Sequence, residues 1–146
     1  MVVIQDIKSR LVYWFCFPLI AVCAGALMYQ QTTFNQFLWG LGINLLFVSL
    51  LIVVVYVYSK LKIKSNIQDT FGLGDALLFF GLAFSFMSVS FIVLFVFGLI
   101  FSLVMHLVIK SKLKQDTVPL AGYLSLFFAL AYLAYWFGIL NSVYSI

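Results

Sequence analysis

Apolar runs of about 20 residues recur along this chain, each long enough to cross a bilayer core of roughly 30 Å, and short polar clusters separate them. The runs are 11–29, 36–58, 73–109 and 119–140. The third is too long for one crossing, since as a single helix it would reach about 55 Å at 1.5 Å per residue. It is expected to fold as two helices, 73–87 and 90–109, with a tight turn in the small polar patch between Ser85 and Ser90. The pattern predicts an all-α fold with about five transmembrane helices, forming a single domain over residues 1–146.

Composition strengthens that reading. Of the 146 residues, 66% are hydrophobic and 8% charged, and the mean hydropathy of +1.21 lies far outside the range of soluble domains. Charge tests the division of the third run independently, because cytoplasmic loops collect Lys and Arg. Five spans put Lys8 and Arg10, then Lys60, Lys62 and Lys64, then Lys110, Lys112 and Lys114 on one face, which accounts for all 8 basic residues. One helix over 73–109 would separate the last two clusters. The N-terminus is therefore expected in the cytoplasm and the end, "LNSVYSI", outside. The N-terminal stretch is read as the start of a span rather than as a secretory leader, because its apolar run is long and its head carries an acid.

The 4 acidic residues, Asp6, Asp69, Asp75 and Asp116, also fall on the cytoplasmic face, and the chain has no Glu. The opposite loop, "QQTTFNQ", is uncharged. His106 is the only His and has no acid near it in sequence, which argues against a Ser-His-Asp arrangement. Cys16, Cys23 and His106 stand on different spans or alone, so no zinc set is expected, and the two Cys read as buried thiols on one helix face. His106 reads as a packed or interfacial histidine. Tyr13, Trp14, Tyr56, Tyr58, Tyr132, Tyr135 and Trp136 read as aromatic belts, and Asn44, Ser85, Ser88 and Ser90 as interhelical hydrogen-bonding groups. The Lys clusters are expected against anionic membrane lipid. Nothing in the sequence points to nucleic acid.

What remains is aspartates at helix beginnings. Asp6 precedes the first span, and Asp75, in "QDTFGLGDALLFFG", opens the third. Two carboxylates within hydrogen-bond reach do not both ionise easily, so one keeps a proton and the pair serves as general acid and base on a water. Such aspartic peptidase chemistry needs no metal or other cofactor. The local alternatives are an N-cap for Asp75 and a surface ion pair with Lys8 or Arg10 for Asp6. Gly72 and Gly74 permit close backbone approach and also mark ordinary turns.

The sequence "GLGD" at 72–75 resembles the Gly-x-Gly-Asp motif of intramembrane aspartic peptidases, and the wider pattern resembles the type IV prepilin peptidase family. "DIKSRLVYW" from Asp6 and "VPLAGYLSLFFAL" from Val118 are similar to two further family segments, in family order. The chain departs from the family pattern at Val12, Tyr13 and Leu77. The resemblance implies that Asp6 and Asp75 form the catalytic pair, with Gly72 and Gly74 shaping the backbone beside it. It also implies a prokaryotic inner-membrane protein whose partner is a prepilin-like substrate, cut just before its apolar N-terminal helix. The alternatives are a relative that binds pilin-like helices without cleaving them, and an unrelated small channel or transporter subunit.

Overall fold

The computed structural model describes residues 13–63, 72–109, 120–138 and 144, and all the regular structure among them is helical. Five α-helices follow in order: α1 (Cys16–Gln31), α2 (Phe34–Tyr58), α3 (Leu73–Leu82), α4 (Ser88–Ile109) and α5 (Leu120–Trp136). A π-helical turn, Ser59–Ile63, prolongs α2. The stretches Phe34–Leu61 and Ser88–Ile109 are long and apolar enough to cross a membrane. α1 and α5 are shorter apolar helices.

The uncharged loop between the first two runs is a pair of helix caps. Thr32 Oγ1 donates to the Met28 carbonyl at 2.8 Å, closing the end of α1. The Thr33 N–H and hydroxyl both donate to Gln36 Oε1, at 3.1 and 2.9 Å, which opens α2 with a Thr-x-x-Gln start. Phe34 therefore begins a helix that the run of apolar residues alone put at 36.

The run 73–109 divides into two helices, at a place the polar patch only partly marks. α3 has 10 residues and so rises only about 15 Å, half a bilayer core. It stops at Leu82 rather than continuing to 87, and Ser88 and Ser90 belong to the first turn of α4, where small hydroxyl residues suit a helix start. The turn between them is buried: Ala83, Ser85 and Phe86 are fully covered. A helix end hidden from water must have its free carbonyls bonded by other groups. Asn44 Nδ2, on α2, donates to the carbonyls of Ala83 and Phe86, both at 2.9 Å. The Tyr132 hydroxyl, on α5, takes the Ser85 carbonyl at 3.1 Å, and Ser88 Oγ reaches the Gly40 carbonyl at 3.3 Å.

That last bond sets the depth of the turn. Gly40 lies six residues inside α2, so the α3–α4 turn sits about 9 Å below the α2 N-terminus. The Tyr144 ring lies over it, 5.6 Å from Phe86 and 5.2 Å from Tyr135. Burial, then the neighbouring Tyr132, pushes the Tyr144 hydroxyl well above the usual phenol range, so this cover stays uncharged.

The core is aromatic. Phe79 and Phe95 meet edge to face at 4.9 Å, and Phe86, Phe91 and Phe128 extend the cluster across α4 and α5. α4 and α5 approach closely because Gly98 has no side chain; a Cβ there would lie 2.6 Å from a Leu124 methyl and 3.1 Å from the Phe127 ring. Two expectations about facing do not hold. Cys23 is exposed and Cys16 half-buried, so they are not core thiols, and Tyr132 is a buried-turn donor rather than a belt residue.

Candidate functional site

Asp75 is the third residue of α3, and the helix opens on Gly72, whose carbonyl accepts from the Asp75 N–H at 3.0 Å. The N-cap position belongs to Gly72, so the expected local capping role does not describe the Asp75 side chain. Instead its Oδ1 accepts from the Ala121 N–H at 2.9 Å. Ala121 is the second residue of α5, one of the first N–H groups that a helix leaves without an internal partner. Asp75 thus closes the start of another helix in the chain, and the positive ends of the α3 and α5 dipoles meet at one carboxylate.

The two glycines differ in what they do. A Cβ on Gly72 would come within 3.3 Å of Asp75 Oδ2, so the carboxylate folds over the space that a side chain would take. A Cβ on Gly74 would make only an ordinary contact, 3.6 Å from the Phe17 ring. Neither has a positive φ, so backbone freedom is not their purpose. The Phe17 contact also ties the start of α1 to the start of α3, and a Cβ on Gly81 would sit 3.2 Å from the Phe17 carbonyl. The starts of α3 and α5 therefore meet at the Asp75 carboxylate, and the Phe17 ring reaches toward them from α1, whose backbone at Phe17 lies beside Gly81 near the other end of α3.

The site is set back from the helix ends. Gly98 of α4 lies against Leu124 and Phe127 of the antiparallel α5. Following the pair back toward the α5 start brings Ala121 about level with Ser102. α4 continues for seven residues past Ser102 to Ile109, about 10 Å further. On that continuation Ser102 and His106, one turn apart, face inward and are buried, and Ser102 Oγ and His106 Nδ1 have no hydrogen-bond partner among the described residues. His106 is the packed histidine of the sequence reading.

Asp6, Asp69 and Asp116 lie outside the described residues, as do Lys8 and Arg10, so the distance between Asp6 and Asp75 is not among the observed distances. Among the described residues no three potential metal-ligating side chains gather. The Ala121 N–H is the feature the sequence did not reveal, because a backbone group carries no residue signature. No family model, curated protein or solved structure matches the chain.

Proposed function

We propose that this chain is a multi-pass membrane aspartic endopeptidase that removes the leader of prepilin-like proteins at the cytoplasmic side, with Asp6 and Asp75 as its catalytic pair. One observation carries the reading. The hydrogen bond from Ala121 N–H to Asp75 Oδ1 joins "GLGD" to "VPLAG", two blocks of the family resemblance that lie 46 residues apart in sequence. The Phe17 ring, from the segment that follows the third block, the one beginning at Asp6, reaches Gly74 beside the same carboxylate.

The membrane setting is supported by what the helices expose. Leu46, Val53, Leu103, Leu107 and Val108 are each more than half exposed on the long helices α2 and α4, a surface that water does not favour and acyl chains do. Trp39 and Tyr58 are exposed near opposite ends of α2, and the nineteen helical steps from one to the other span about 28 Å, close to the thickness of a hydrocarbon core. With the basic clusters inside, the five helices alternate direction, and α3 is a half-depth pass closed by its buried turn. The cytoplasmic membrane of a prokaryote is the corresponding location.

In the chemistry proposed, water reaches the pair from the cytoplasm. One Asp takes a proton from it as it attacks the scissile carbonyl, and the other donates to the developing oxyanion and then to the leaving amine. The pair titrates as a unit. No cofactor takes part. The same Ala121 bond favours a second reading, a relative that binds pilin-like helices without cutting, in which Asp75 serves only to hold α5. The two separate in a cleavage assay in lipid with a prepilin-type substrate. Wild type is expected to cleave and Asp6→Asn and Asp75→Asn to be inactive; cleavage surviving either substitution rejects the pair, and a wild type that binds without cleaving selects the second reading.

A further inference from the structure

The short helix that carries Asp75 is held at both ends by the same neighbour. At the start of α3, Asp75 Oδ1 accepts from the Ala121 N–H at 2.9 Å; just past its end, the Ser85 carbonyl accepts from the Tyr132 hydroxyl at 3.1 Å. The bonded partners are 46 and 47 residues apart in sequence, so α3 and α5 run parallel in one register. On α5, Ala121 and Tyr132 are eleven residues apart, which is three turns, and they share one stripe about 16 Å long. Phe128 stands between them on that stripe and stacks with Phe86 of the turn, whose ring also lies 4.7 Å from that of Tyr132.

We infer that Tyr132 is a positioning residue for the Asp75 carboxylate, acting through α3 from the far end of this clamp; the catalytic consequence rests on the proposed function. Against α1 and α4, α3 packs through Gly81 beside the Phe17 backbone and through Phe79 against Phe95. Apolar contacts of this kind carry no direction. A hydrogen bond weakens steeply when its length or angle leaves the favoured range, and in an apolar bundle no water replaces it. One such bond leaves a ten-residue rod free to pivot about it, whereas two, at opposite ends and to one partner, fix its depth and its rotation together. Ring packing at position 132 would be served equally by Phe, as it is one turn earlier at Phe128, so the hydroxyl is there for the bond. The Tyr144 hydroxyl is hydrogen-bonded to that of Tyr132 and keeps the donor in place from its other side. A catalytic carboxylate has to sit within about 0.5 Å of its working position, and the Ala121 bond alone would let α3 tilt it out of that range.

The test uses the full chain in lipid nanodiscs and Tyr132→Phe, which removes one hydroxyl and keeps the ring. Its first arm is a double-mutant cycle with Asp75→Ala, read as shifts in unfolding temperature. Sites this far apart with no common partner shift it additively. The clamp predicts that the double variant falls by clearly less than the sum of the two single shifts, because each bond is worth less once α3 can pivot. The second arm is cleavage of a prepilin-type substrate. Tyr132→Phe should lower kcat about tenfold with KM unchanged, whereas Thr33→Ala, which breaks the cap of α2 and also destabilises, should keep the wild-type kcat. Additive shifts overturn the inference, as does a Tyr132→Phe loss that lies in KM or is matched by Thr33→Ala. Coupled shifts in a wild type that never cleaves keep the clamp and reject the peptidase; cleavage with additive shifts keeps the peptidase and rejects the clamp.

Discussion

A carboxylate that accepts from the backbone of a distant helix can be separated into shape and charge by substitution. Asp75→Asn keeps an oxygen for the Ala121 N–H and loses the acid, whereas Asp75→Ala loses both. Both are expected to abolish cleavage. In thermal unfolding in detergent, Asp75→Ala should cost about 1–2 kcal/mol, the usual worth of a helix cap, and Asp75→Asn clearly less. Equal destabilisation by the two would mean that the bond contributes through charge alone. Gly72→Ala should lower the cleavage rate about tenfold by displacing the carboxylate, while Gly74→Ala should stay near wild type, because only the first introduces a Cβ tight against Oδ2. The sequence marked Asp75 as a charge at a helix start, since an acid among apolar residues is conspicuous. It could not supply the partner, because a backbone N–H on α5 looks like every other until the chain has folded.

At the level of elements, the division of 73–109 was readable from length and charge, but its position was not. Ser85, Ser88 and Ser90 marked a polar patch, yet the helix ends at Leu82 because Asn44 and Tyr132 accommodate the carbonyls of the turn from other helices. Asn44→Leu should therefore destabilise by about 1–2 kcal/mol, leaving two buried carbonyls without their donor, and the loss should appear as a lower unfolding temperature in micelles. Gly98→Ile should do the same by forcing α4 and α5 apart, whereas Gly42→Ile, whose Cβ meets nothing within 4 Å, should not. The misplacing of Cys23 and Tyr132 has one physical cause. These helices are apolar all round, so no stripe of polar residues shows which face turns inward.

For the whole molecule, the proposed orientation rests on the lysines and the proposed depth on the aromatic rings, both expectations from the sequence, while the meeting of the α3 and α5 starts at Asp75 emerged only from packing. Labelling of single cysteines in sealed vesicles checks the orientation: Thr33→Cys should react from outside and Lys60→Cys from inside, in a background of Cys16→Ser and Cys23→Ser. Reaction of both from one side would contradict the alternating passes. The proposed pairing of Asp6 with Asp75 is tested most directly by their proximity in the membrane. In the cysteine-free background, Asp6→Cys combined with Asp75→Cys should be bridged by a thiol cross-linker spanning less than about 10 Å, a reach set by the need for two acids to share one water. No bridge, with each single cysteine still reactive and the protein folded, would contradict the account.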